Sequence, residues 1–131
     1  MNYKHNIIKE RFDLLIDSPN GVKKGSWEID RNADLLYGIT ITSDQEEQIY
    51  YRGSQKIQIN DQELFPEDFE TKLLMAGLAV SPNHRMTKVG NVKTGNKRIE
   101  VWYKDTDHPK AIFTPYTVSF YFFSKVKPNS L

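Results

Sequence analysis

The side chains in this sequence that could do chemistry come in small, scattered groups. Asp105-Thr106-Asp107-His108 places three oxygen or nitrogen ligands within four residues, a spacing that could hold a divalent ion. An Asx-rich turn ahead of Pro109 accounts for the same residues, because aspartate favours turns. Glu46-Glu47, and Glu63 with Glu67 or Asp68, could supply a pair of carboxylates for acid and base work, but nothing in the sequence sets their separation. The three histidines, His5, His84 and His108, fall in the N-terminal arm and in two different loops. No serine has the glycines of a nucleophile elbow around it. Lys88, Lys93, Lys97 and Arg98, with Gly90 and Gly95, read as a basic hairpin that could touch phosphate, without a phosphate-loop or dinucleotide fingerprint. Lysines that keep an exposed strand edge from aggregating explain them equally well. On this reading no catalytic residue, metal or cofactor is expected.

The elements that must carry these groups are mostly strands. Phe12, Leu14 and Ile16 alternate with Arg11, Asp13 and Asp17, and Ser18-Pro19-Asn20-Gly21 stops the run with turn chemistry at every position. Val22 to Ile29, Leu35 to Thr42, Ile49 to Arg52 and Ile57 to Ile59 continue the alternation, with Ser43 to Gln48 read as a polar loop. At Pro66 the period changes. Pro66 sits where a first helical residue would, and Glu67, Asp68 and Glu70 suit a first turn. Phe69, Leu73 and Ala76 share one face and Gly77 offers a stop, so the pattern predicts a helix over 66–76. Strands around Met86 to Val89, Arg98 to Lys104 and Tyr116 to Val126 follow, with Gly90 to Asn96 as a hairpin loop. About eight short strands and one helix predict a single antiparallel β-sandwich domain over 1–131, of jelly-roll or other Greek-key type, with a polar N-terminal arm 1–9.

Composition narrows the class further. The 131 residues carry 18 basic and 17 acidic side chains, a balance that argues against nucleic acid or an anionic lipid surface as partner. There is no cysteine, which removes disulfides and thiolate metal sites together and fits a reducing compartment. The first residues, MNYKHNIIKERFDLLI, lack the apolar core of a secretory leader, and no stretch reaches the roughly 20 apolar residues of a membrane span. A hydrophobic content of 38%, with seven Phe, seven Tyr and two Trp, argues for a packed core.

Alternation also sorts the aromatics. If Tyr37, Ile39, Ile57, Ile59, Ile99, Val101, Tyr103, Val118, Phe120 and Phe122 point inward, then Trp102, Tyr121 and Phe123 point to the opposite face. That second face is covered by the helix or the N-terminal arm, by a protein partner, or by a ligand. Trp102, Tyr121, Phe123 and Tyr50 are therefore the candidate interface or ligand-stacking residues.

The segments LLYGITITSD (35–44), YYRGSQKIQIND (50–61), ELFPEDFETKLLMAG (63–77) and FTPYTVSFYF (113–122) resemble small jelly-roll-like structural proteins of bacteriophage virions, of the capsid-vertex or capsid-decorating type. The resemblance rests on strand rhythm, size and the lone helix, and no functional residue is carried over from it. It implies a non-enzymatic structural subunit assembled in the host cytoplasm, which contacts copies of itself and other structural proteins. Two other classes stand beside it. One is a carbohydrate-binding module stacking sugars on Trp102, Tyr121 or Tyr50. The other is a barrel binding single-stranded nucleic acid beside Lys93, Lys97 and Arg98. An enzyme working through Asp105, Asp107 and His108 comes last.

Overall fold

Apolar and polar residues alternate along eight strands in the computed structural model, which describes residues 7–75 and 87–126. In chain order they are β1 (Ile7–Ile16), β2 (Val22–Glu28), β3 (Ala33–Ser43), β4 (Gly53–Ile59), β5 (Gln62–Glu70), β6 (Thr87–Lys93), β7 (Arg98–Asp105) and β8 (Tyr116–Val126). One α-helix, α1 (Glu46–Arg52), lies between β3 and β4, and a 3-10 turn, Thr71–Leu74, follows β5. The strands form two antiparallel four-stranded sheets in the orders β1-β8-β3-β6 and β2-β7-β4-β5. The pairs β1/β8, β2/β7, β3/β6 and β4/β5 nest one inside the next along the chain and alternate between the sheets. The contacts β8/β3 and β7/β4 then close each sheet.

The core lies between the two sheets. Leu14 and Ile16 of β1, Ile39 and Ile41 of β3, and Val118, Phe120 and Phe122 of β8 meet Ile57 and Ile59 of β4 and Ile99, Val101 and Tyr103 of β7. Full burial of each such side chain stabilises by roughly 1.5–3 kcal/mol relative to exposure. Trp27 of β2 bridges the sheets, stacked on Phe12 with ring centroids 5.0 Å apart and 5.7 Å from Phe120. Leu36, and not Tyr37, occupies the expected inward position, because a bulge between Leu36 and Gly38 shifts the pairing with both neighbours of β3. Tyr37 instead lies under the Lys125 ammonium, 5.3 Å from its ring centre.

The expected helix over 66–76 is not formed. Gln62–Glu70 is a strand paired with β4, Thr71–Leu74 is a 3-10 turn, and Ala76 lies outside the described residues. The cause is the two-residue turn Asn60-Asp61, both with positive φ (50° and 60°), which folds the chain straight back on β4 with Ile59 opposite Gln62. Pro66 is tolerated because β5 is the sheet's edge and its pairing is irregular there. The helix forms instead at Glu46–Arg52, where a loop and a short strand were expected. Glu46 and Glu47 fill its first turn and Arg52 its last, complementing the helix dipole. Its buried residues, Gln48, Ile49 and Arg52, form one face that closes the end of the sandwich.

Two further expectations change. Gly90–Asn96 is not a hairpin loop: β6 runs on to Lys93 in one sheet, while β7 begins in the other. Ile7–Lys9 of the expected arm belong to β1, whereas residues 1–6, His5, His84 and Met86 lie outside the described residues. Among the described residues, no helix is long and apolar enough to cross a membrane.

Candidate functional site

One end of the sandwich gathers the 17–21 turn, α1, the 3-10 turn and the 106–115 loop. A buried ion pair holds these connections together. Arg52, in the last turn of α1, is 2% exposed, and Asp105, the last residue of β7, is fully buried. The guanidinium grips the carboxylate with two bonds, Nε to Oδ1 at 3.1 Å and Nη2 to Oδ2 at 2.8 Å. Nη2 also donates to Asp107 Oδ1 at 2.9 Å, and Nη1 to the Ala111 carbonyl at 2.9 Å. The Phe113 ring lies beside the guanidinium, 5.3 Å away.

The other donors to Asp105 come from distant segments. The Asn20 amide donates to Oδ2 at 3.1 Å, and the Tyr116 hydroxyl to Oδ1 at 2.6 Å. Tyr116 in turn receives the Tyr103 hydroxyl at 3.0 Å. Burial alone would raise the Asp105 carboxyl, but Arg52, Tyr116 and Asn20 outweigh it and hold it below the usual carboxylate range. Burial pushes both phenols well above theirs, helped at Tyr116 by the charge of Asp105. Gly53, just after α1, makes the close packing possible. A Cβ there would sit 2.2 Å from the Tyr103 hydroxyl and 2.8 Å from the Ile49 carbonyl.

The same network takes up the two aspartates of Asp105-Thr106-Asp107-His108. Both carboxylates turn onto Arg52. His108 turns away to an isolated bridge with Ala111, its Nδ1 accepting the Lys110 amide at 3.1 Å. Among the described residues, no three potential ligands converge.

Outside the network, the same end carries two open clefts that share a wall of two tyrosines. Tyr50 and Tyr51 of α1 meet edge to face, centroids 4.9 Å apart. His108 lies against Tyr51 at 5.0 Å and 32°, and the Lys110 ammonium lies 5.9 Å from the same ring. One cleft, of about 350 Å³, continues past Ser54, Glu70, Lys104, Thr106 and His108. The other, of about 320 Å³, is bounded by Glu46, Glu47 and Met75. Glu46 and Glu47 thus border a cleft, while Glu63 is exposed on β5 and lines neither cleft.

The aromatics expected on the outer faces are there, and the chain's own cations lie over them. Trp102 is half-buried between its cross-strand neighbours Lys24 and Lys56, whose ammonium groups lie 5.0 and 4.9 Å from its ring. Arg11 covers Tyr121 at 5.8 Å, and Lys9 covers Phe123, which is only 9% exposed, at 5.6 Å. Tyr50 differs, at 47% exposed, and of the four it alone lines either of these two clefts. The basic residues do not form one hairpin. Lys88 and Lys93 stand on β6, and Arg98 opens β7 beside Glu28 at 3.8 Å. Lys97 Nζ bonds the Ala33 carbonyl and Thr94 Oγ1, at 2.5 and 2.7 Å.

Sequence reading missed Arg52, Tyr51 and Tyr116 as members of the site. Tyr-Tyr-Arg-Gly resembles any strand end, and only the fold shows that Arg52 points into the molecule. Compared with known proteins, the chain matches no family model, no curated sequence and no solved structure, so what this end of the sandwich does is read from its geometry.

Proposed function

We propose that this chain is a non-enzymatic structural subunit that works through protein-protein contact, of the kind that builds or decorates a bacteriophage virion. The observation that carries this reading is the strand order. Four nested antiparallel pairs, alternating between sheets as β1-β8-β3-β6 and β2-β7-β4-β5, support a jelly-roll reading of the sandwich, an arrangement used by viral capsid and lectin domains. Fold alone does not fix function. The chemistry of the loop end agrees with the reading, since Arg52 is bonded to both Asp105 and Asp107 as a brace.

Such a subunit works in a closed symmetric assembly. Native mass spectrometry across a concentration series is expected to show a homo-oligomer, a pentamer for a vertex position or a trimer for a decorating one. A chain that stays monomeric at high concentration, and captures no structural partner, overturns the proposal.

A further inference from the structure

We propose that the cleft at the C-terminal end of α1 is a binding subsite for a neutral pyranose ring. The proposal stands apart from the assembly reading, because it rests on a cleft and not on the strand order and is tested by a different measurement. Size is the first argument: about 350 Å³ is at the small end of ligand pockets, which run from roughly 300 to 1,000 Å³. A second cleft of about 320 Å³ lies across the same tyrosine wall, so a chain of sugar units would find a place on either side.

The wall itself is the second argument. Tyr51 is held edge-on by Tyr50 at 79° and supported by His108, so its orientation is set before any ligand arrives. Tyr50 remains 47% exposed and borders both clefts. A pyranose presents a flat patch of C–H groups that suits such a ring, and a preset platform loses little conformational entropy on binding.

The remaining lining selects against other ligand classes. Ser54 and Thr106 contribute hydroxyls, each able to donate and accept. His108 uses Nδ1 to accept the Lys110 amide, which leaves Nε2 as the protonated, donating nitrogen. Arg52 is already neutralised by Asp105 and Asp107, and Glu70 and Lys104 bring one charge of each sign to the lining. A charged ligand therefore gains little in the larger of the two clefts. An apolar peptide anchor finds tyrosine faces but no greasy socket. A neutral ring with an apolar face and a hydroxyl rim matches what is present.

The test is a titration of the isotopically labelled full chain, followed by amide resonances, with maltohexaose, cellohexaose, xylohexaose and mannohexaose in turn. At least one sugar is expected to shift the amides of Tyr50, Tyr51, Ser54 and Thr106 saturably. Tyr50→Ala should weaken that binding about tenfold or more, while Tyr50→Phe should retain it. Thr106→Val, in an exposed loop position, is a second probe whose fold is not in question, and it should weaken binding about threefold or more. The proposal is overturned by no saturable shift with any of the four up to about 10 mM, by shifts centred on Trp102, or by undiminished binding in both Tyr50→Ala and Thr106→Val.

Discussion

Asp105 is a buried carboxylate with donors on both oxygens, from Arg52, Tyr116 and Asn20. Such a pair adds little net stability over an apolar replacement, but losing one partner strands the other charge away from water. Arg52→Ala or Asp105→Ala is therefore expected to cost about 3–5 kcal/mol in urea unfolding. The double variant Arg52→Ala with Asp105→Ala should cost less than the two single losses added, which a double-mutant cycle measures directly. Acid should act through the same carboxylate. Its native affinity for protons is lowered, so its contribution is complete above the ordinary carboxylate value of about 4 and disappears as pH falls through the lower native one. Thermal unfolding should show a drop in midpoint below about pH 4. Asp105→Asn, which cannot ionise, should flatten that drop relative to the parent protein.

Among the elements, the hairpin β4/β5 decides the most. Helix signals at Pro66-Glu67-Asp68 are real locally, but a helix of about ten residues is marginal in water without tertiary support. The tight turn at Asn60-Asp61 instead supplies a ladder of strand bonds, and the ladder wins. Asp61 has φ of 60°, a region that glycine enters without strain, so Asp61→Gly should stabilise the fold by roughly 0.5–1 kcal/mol. Gly95 makes the opposite case. It has φ of +51°, and a Cβ there would lie 2.0 Å from the Asn60 side chain of the neighbouring turn. Gly95→Ala should destabilise by more than about 1 kcal/mol, and denaturant midpoints of the two variants should move in opposite directions.

At the scale of the molecule, the outermost pair joins the two ends of the chain. Ile7 lies opposite Lys125 and Ile16 opposite Tyr116, so β1 cannot pair until β8 exists. Nearly every strand partner is distant in sequence, which makes folding slow for the size. Refolding followed by Trp27 fluorescence is expected on a scale of roughly milliseconds to seconds. Removing residues 1–16 should abolish the cooperative transition, because Leu14 and Ile16 leave the core and β8 loses one whole side of its ladder. A truncated chain that still unfolds in one sharp step would contradict this picture.

Strand periodicity, the 18–21 turn and the division of β7 and β8 into inner and outer faces were legible in the sequence. A strand's two faces alternate by covalent geometry alone, so Ile99, Val101 and Tyr103 separate from Trp102 without knowledge of neighbours. What covers the outer aromatics was not legible, because Lys24, Lys56, Arg11 and Lys9 reach them only across strand pairings. Helix placement was misread for a related reason. Glu46–Arg52 and Pro66–Ala76 carry comparable local signals, and the choice between them lies with hairpin register and a buried face. The site is the most tertiary feature of all: Asn20, Arg52, Asp105 and Tyr116 come from four separated segments, and only strand pairing brings their polar atoms within hydrogen-bonding reach. The sequence by itself determined a mostly β chain with an amphipathic rhythm. Tertiary structure alone decided where its charges are buried and where its tyrosines stay open, because both depend on contacts between residues far apart in the chain.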